Sequence, residues 1–564
     1  MPRYTMPIGK SDFAKLRTAG DYYVDKTDLI RQITSSGAEV TLFTRPRRFG
    51  KSLNMSMLQH FFDIKENSKE LFDDLAISKE KELCDNWMNK YPTILVSLKD
   101  VGSNSFEGAF KRLRTEISKL YERYDYLYKD NSKLSELQER LFKKILMRES
   151  DEEDLKESLS LLTQLMYEHH EKHVVLLIDE YDVPMAKGDV NGYYRDITDI
   201  MSVMLSKVLK DNQYIKIAVL TGCLRIAEES IFTGLNNPSI KTIVDTDYDE
   251  CFGFTNEDMN KLLTDTGLLD KQPVFKEWYD GYIFGNREVY CPWDVLNFVD
   301  ALQSDPDTLP SNYWANTSGN DVVRRFLESD FDVSEEFETL LSGGYIEKSI
   351  NPNITYGNLI KSEANLWSVL YMTGYLTILP GSLPKNTPGQ TNNVKGKYEL
   401  PFKLRLPNKE IAVIFEQTIA DWFKERIVGE DRTDLFNAVW NGDADKLTVE
   451  ISKFLGDTIS YHDYKEDFYH AFLAGLMSGF KGVKVESNRE TGAGRADVIL
   501  KNPRMARVAV FEFKHAKTEK QMNSKCDEAV KQVAEREYTF PFREETIYKY
   551  GISFYKKKCL VKNA

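Results

Sequence analysis

At 564 residues the chain is too long for one compact core, and usual domain sizes set an expectation of about two to four units. Its 41% hydrophobic and 29% charged residues fit neither a disordered nor a fibrous chain, and no apolar run approaches the roughly 20 residues that span a bilayer. A formal net charge of -13 excludes a uniformly basic nucleic-acid-binding surface, and six scattered cysteines with no C-x-x-C pair read as reduced thiols rather than zinc ligands.

The first residues show no basic start followed by an apolar stretch and a small-residue cleavage site, so the expected location is the cytoplasm, away from membrane. Residues 39–44 are β-prone, and from Lys51 the spacing of Leu53, Met57, Phe61 and Phe62 turns helical. Between strand and helix stands Arg45-Pro-Arg-Arg-Phe-Gly-Lys-Ser52. A loop of the pattern G-x-x-x-x-G-K-S/T wraps phosphates with backbone amides at a helix N-terminus, brings a lysine to the outer phosphates and a hydroxyl to magnesium. Gly50, Lys51 and Ser52 occupy the required places, whereas Arg45 stands where the first glycine is usual. Within the loop, Arg47 and Arg48 either compensate phosphate charge or pair with acidic side chains, and Phe49 belongs to the same nucleotide-binding segment.

A second strand is expected at 93–98, followed by amphipathic helices over 106–122, 132–147 and 152–169 that read as an insertion or lid. The apolar run 173–178 ends in Asp179 and Glu180, a carboxylate to orient magnesium and one to polarise the attacking water. The next run, 214–220, ends in Thr221, a candidate γ-phosphate sensor, with Arg225 just beyond as a phosphate contact or helix cap. Apolar strands alternating with helices, and polar residues at strand carboxyl ends, predict an open parallel α/β sheet with its ligand at those ends, over residues 1–263.

Residues 264–460 are aromatic-rich and mostly helical. The Gly-, Pro- and Asn-bearing stretch 380–397 is an expected loop between strands at 374–379 and 398–406, which would form the wing of a winged helix. Tyr279, Tyr282, Phe284 and Trp293 read as packing rather than a base-stacking platform.

Residues 461–564 change character. A helix at 464–480, strands at 483–487, 496–500 and 508–513, a helix at 519–538 and a strand at 547–554 give the order α-β-β-β-α-β. Phosphodiester hydrolysis with magnesium needs carboxylates to hold the metal and a lysine to position water. Asp497 opens one strand; Glu512 and Lys514 end the next, where alternation puts both on one face. Glu466 on the leading helix either completes the metal site or pairs with His470 one turn on. Residues 501–564 hold fifteen Lys and Arg against eight Asp and Glu, a local net charge of +7 around this set.

Tyr23-Val-Asp-Lys-Thr27, the loop 44–52, Leu177-Ile-Asp-Glu-Tyr-Asp182, the run from Thr221 to Asn237, Trp278-Tyr-Asp-Gly-Tyr-Ile-Phe-Gly285 and Tyr313-Trp-Ala-Asn-Thr-Ser-Gly-Asn320 together resemble the AAA-ATPase-like family that is often fused to a C-terminal PD-(D/E)xK nuclease-like domain. The C-terminal set, with Gly494-Arg-Ala-Asp497 before it and Gln532 on the following helix, resembles that nuclease fold, with Ala496 where the family's name has proline. The resemblance implies an AAA-like ATPase domain, a helical middle and a restriction-endonuclease-like end. It implies ATP and Mg2+ as cofactors and nucleic acid, in the first instance DNA, as substrate; self-association is left open. The competing expectation is a nucleotide-controlled switch whose nuclease-like domain binds without cutting.

Overall fold

The computed structural model describes residues 3–129, 134–225, 238–314, 323–324, 331, 333–351, 354, 356, 359, 362–382, 401–428, 431–458, 466–478, 482–491, 494–535, 545–555 and 558–564. They form two compact units, Met1–Ser318 with Ile346–Ile411, and Gly319–Tyr345 with Ala412–Ala564. Among the described residues no helix is long and apolar enough to cross a membrane.

The first unit is built on a parallel sheet of β1 (Val40–Thr44), β2 (Thr93–Ser97), β3 (Val174–Asp179), β4 (Ile215–Gly222) and β5 (Ser239–Lys241), in the order β2-β3-β4-β1-β5. Every residue of β1 and β3 is buried, which is why both read as unbroken β-prone runs: a parallel strand covered on both faces has no solvent side to alternate with. The strand at Thr93 lies at the sheet edge beside β3. It is β4 that separates β1 from β3, pairing Thr44 with Gly222 and Ile178 with Leu220, so the ends of β1, β4 and β3 are consecutive along the sheet.

The helices Phe106–Arg123, Glu136–Leu146 and Glu152–His170 occur as expected, but they are not a lid. Leu113, Ile117, Phe142, Leu159 and Leu162 are buried in one core with Leu176 and Ile178 of β3, so the apolar faces of these helices cover the sheet.

A small antiparallel sheet follows, β6 (Phe254–Thr255), β7 (Tyr282–Phe284) and β8 (Arg287–Tyr290), in the order β6-β8-β7 and leading into the helix Pro292–Ser304. Gly281, at φ +92°, precedes β7; a Cβ there would sit 2.1 Å from the Pro407 carbonyl oxygen, an approach only glycine allows. A second antiparallel sheet holds β9 (Ile346–Lys348), β10 (Thr377–Ile378) and β11 (Phe402–Arg405), in the order β10-β11-β9. The two expected strands pair antiparallel over a short stretch, with Thr377 opposite Arg405; most of the intervening 380–397 stretch lies outside the described residues.

In the second unit, the helices Thr433–Asn441, Ala444–Thr458 and Glu466–Met477 precede a mixed sheet of β12 (Lys484–Thr491), β13 (Gly494–Asn502), β14 (Arg507–His515), β15 (Thr546–Tyr555) and β16 (Lys558–Asn563), ordered by number. Only β14 and β15 run parallel, and the helix Met522–Glu535 connects them and packs on both. That packing is close at Gly551, where a Cβ would lie 2.4 Å from the Val530 backbone nitrogen. The α-β-β-β-α-β order is present, with β16 added: Lys558-Cys-Leu-Val-Lys-Asn563 alternates too briefly beside neighbouring lysines to stand out as a strand.

Candidate functional site

The loop from β1 turns through Arg48, at φ 71°, and Gly50, at φ 83°, before the helix Lys51–Phe62 begins. The Lys51 ammonium, 6% exposed, donates to the carbonyls of Arg45 at 2.9 Å and Pro46 at 2.8 Å, so the loop curls around the amine and the helix N-terminus opens beside it. Ser52 Oγ donates to Asp179 Oδ2 at 2.7 Å, and Thr221 Oγ1 donates to Asp179 Oδ1 at 2.6 Å. The loop and the ends of β3 and β4 are therefore joined through one buried carboxylate. A hydroxyl and a carboxylate are hard oxygen donors of the kind magnesium takes alongside phosphate and water, so Ser52 and Asp179 fit that ion.

Glu180 follows at φ 54°, a left-handed conformation uncommon for a non-glycine residue, which re-aims the chain at the end of β3. Burial, then the adjacent Asp179, pushes its carboxyl above the usual range. Glu180 lines a cavity of about 690 Å3 together with Arg47, Arg48, Gly50, Lys51 and Ser52. Thr221 is not in the cavity wall; its hydroxyl braces Asp179. Arg225 is also outside that wall and is the last described residue before 226–237, where the rest of the Thr221 to Asn237 motif lies outside the described residues.

Arg45 and Phe49 face the other way. Arg45 is fully buried, donates to the carbonyls of Thr44 at 2.9 Å and Lys241 at 2.8 Å, and its guanidinium lies 5.0 Å from the Phe252 ring centre and 5.4 Å from that of Phe284. Burial brings its pKa down to about 10, still charged at neutral pH. The loop thus tolerates arginine where glycine is usual because the side chain leaves through the back of the loop into a cation–π and carbonyl cage. Arg45→Gly would restore the common pattern, yet it would strip two buried carbonyls of a donor and empty the cage. It is expected to lower stability by at least about 2 kcal/mol in urea unfolding.

Phe49 is buried with its ring 5.0 Å from those of Tyr282 and Phe284, which makes it the loop's anchor to β7. Tyr279, Tyr282 and Phe284 pack as expected, but Trp293 also lines the cavity and carries the Arg48 guanidinium 4.2 Å above its ring. The geometry adds aromatic stacking to the two roles expected for Arg48, whose charge also acts on Asp294.

Behind the loop, Asp294 and Glu410 are fully buried, and Glu410 Oε1 accepts from the Trp314 amide at 2.8 Å. Burial first, then the Asp294 charge, pushes the Glu410 carboxyl far above the usual carboxylate range, and burial raises Asp294 as well. Glu410 is therefore protonated when folded and ionised when unfolded at neutral pH. Its contribution to stability is fully present below its unfolded pKa of 4.5 and is lost as pH rises through the raised folded value. Thermal melts of wild type are expected to fall between pH 7 and 9.5, and Glu410→Gln, which keeps an acceptor for Trp314 but no proton to lose, to flatten that fall.

In the second unit, β13 and β14 pair with Val498 opposite Phe511, and extending that register sets Asp497 opposite Glu512. Asp497 Oδ2 accepts the Phe513 amide at 3.0 Å, and Lys514 Nζ lies 3.4 Å from Glu512 Oε1. The structure therefore brings Asp497, Glu512 and Lys514 together; Glu512 is 1% exposed. Among the described residues no group of three or more His, Cys, Asp and Glu is placed to hold a metal. Two carboxylates are nonetheless a donor set that magnesium accepts, because it retains several waters. Glu466 begins the helix Glu466–Met477, and its side chain lies outside the described residues. Tyr469 of that helix stacks on His515, and alternation puts His515 on the face opposite Lys514. Gln532 lies on the helix Met522–Glu535, which covers the Glu512 face through Val533 against Val510. Part of the basic charge is neutralised locally, since Lys501, Lys525, Lys558 and Lys562 pair with Glu486, Glu528, Glu519 and Asp527.

Sequence reasoning missed Asp182. It is 2% exposed, and its Oδ2 accepts the amides of Cys223 at 2.9 Å and Leu224 at 3.1 Å and the Tyr356 hydroxyl at 3.1 Å. Its place two residues after Glu180 was visible; its partners are brought to it only by folding.

Residues 7–232 match the family described as "Predicted AAA-ATPase", and residues 464–564 match the PD-(D/E)XK nuclease superfamily. An uncharacterized protein of the vnfD 5' region of Azotobacter chroococcum mcd 1 is 25% identical over 572 aligned residues, covering 98% of this chain and 97% of that protein. No solved structure matches.

Proposed function

We propose that this chain, which carries an AAA-ATPase-like domain and a C-terminal domain of the PD-(D/E)XK nuclease superfamily, binds and hydrolyses ATP and uses that cycle to control metal-dependent cleavage of nucleic acid, DNA in the first instance. The observation that carries the reading is the Ser52–Asp179–Thr221 hydrogen-bonded chain, with Lys51 and Glu180 facing one cavity.

The Gly50 turn and the first amides of the helix Lys51–Phe62 receive phosphate oxygens, and Lys51 exchanges loop carbonyls for the outer phosphates. Ser52 and Asp179 would hold magnesium, which when bound neutralises phosphate charge. Glu180, with its affinity for a proton raised, orients the attacking water and takes its proton. In the second unit Asp497 and Glu512 would hold a divalent ion, which when bound supplies Lewis-acid stabilisation of phosphodiester cleavage, and Lys514 would position water.

The test is degradation of single- and double-stranded DNA and RNA by the purified chain with magnesium or manganese, with and without ATP. Phosphate release together with metal-dependent cleavage that Lys51→Ala alters is the expected result. Cleavage that Lys51→Ala leaves untouched would remove the coupling. A second reading, a nucleotide switch that binds nucleic acid without cutting it, is favoured by the near-complete burial of Glu512, and nucleic-acid binding without cleavage under every condition would select it.

A further inference from the structure

Three segments distant in sequence meet at Asp182. The turn after β3 supplies its carboxylate, the turn after β4 supplies the Cys223 and Leu224 amides, and Tyr356, from Ile346–Ile411, supplies a hydroxyl. Tyr181 ties the same turns again: its hydroxyl donates to the Leu224 carbonyl at 2.7 Å and its amide to the Thr221 carbonyl at 3.0 Å. The fit leaves no slack, since a Cβ on Gly222 would stand 2.6 Å from the Tyr181 ring and 2.8 Å from Asp182 Oδ1. Asp182, Cys223 and Tyr356 all line the cavity that holds Lys51 and Glu180, and the Arg47 charge interacts with Tyr356 and Asp182 from the loop.

We infer that Tyr356 is a positioning residue for ATP hydrolysis, and that through it the segment bearing β9, β10 and β11 reads and sets the state of the nucleotide site; this rests on the ATPase reading above. A buried carboxylate keeps its place only while its hydrogen bonds are met. With Tyr356 in place, Asp182 fixes the Cys223–Leu224 turn. That turn fixes Thr221, and Thr221 fixes the Asp179 carboxylate beside Glu180. The Lys51 amine touches this chain of contacts only at Cys223 Sγ, 3.8 Å away, while its two carbonyl hydrogen bonds come from Arg45 and Pro46 in the loop. Loss of the Tyr356 hydroxyl therefore acts on the reacting end of the site and spares nucleotide capture.

Tyr356→Phe keeps the ring and removes one hydrogen bond to a charged group, an interaction whose loss corresponds to about tenfold or more in rate. The expected result is a fall of about tenfold in kcat for phosphate release, with KM for MgATP and the affinity for a non-hydrolysable ATP analogue within about threefold of wild type, and a melting temperature lowered by no more than a few degrees. Asp182→Asn is expected to move kcat the same way. Unchanged kcat in Tyr356→Phe, or a loss that appears in KM, overturns the inference while wild type still turns over. A wild type that releases no phosphate overturns the ATPase reading and this inference with it.

Discussion

Lys51→Ala is expected to weaken MgATP binding by about a hundredfold or more and to reduce phosphate release to background. Two charge-assisted hydrogen bonds to phosphate oxygens, each contributing about 1.5–3 kcal/mol, account for a loss of that size. The amine is the one cation held inside the curl of the loop by the Arg45 and Pro46 carbonyls, so it is aimed before nucleotide arrives. Arg47 and Arg48 line the cavity but do not substitute: they are exposed, and Arg48 is stacked on Trp293. Calorimetric titration with a non-hydrolysable analogue measures the effect, and an affinity within threefold of wild type would sink the assignment of this loop. Glu180→Gln separates binding from turnover, because it keeps the shape and loses the base. It is expected to bind normally and hydrolyse about a hundredfold more slowly.

The nucleotide site was legible because it is written in contiguous runs. Gly50, Lys51 and Ser52 are adjacent, and the strand that ends in Asp179 and Glu180 is a buried apolar run that periodicity finds directly. Other features depend on long-range approach and leave no local trace. The cage around Arg45 is assembled from Lys241, Phe252 and Phe284; the Asp294 and Glu410 pair joins the first turns of two helices; Asp182 meets Tyr356 across the cavity wall. The reading of the helices 106–170 as an insertion or lid fell short for a related reason. An amphipathic pattern shows that a face is buried, not which surface buries it, and here that surface is the sheet itself. Strand order is similarly silent in sequence: the strand at Thr93 lies between the two motifs along the chain, while β4 lies between them in space.

In the second unit the alternation of β14 placed Glu512 and Lys514 on one face, and the register of β13 against β14 added Asp497. The Phe513 amide bonded to Asp497 was not readable, and it determines how the nuclease must be tested. Asp497→Ala removes a metal ligand but also leaves a backbone amide in the sheet without its acceptor, which costs about 1–3 kcal/mol and confuses lost activity with lost structure.

Asp497→Asn is the cleaner change, because the amide oxygen still accepts from Phe513 while the negative charge is gone. It is expected to melt within a few degrees of wild type and to cleave at least about a hundredfold more slowly with magnesium, since a properly held metal supplies several kcal/mol of transition-state stabilisation. Glu512→Gln is expected to match it in activity, and Lys514→Ala to retain metal binding while losing cleavage, because the lysine acts on water rather than on the ion. Metal affinity, followed by calorimetry in parallel with the cleavage assay, separates the two roles. If Asp497→Asn cuts as well as wild type, the activity resides elsewhere, whatever the carboxylates across β13 and β14 share in geometry.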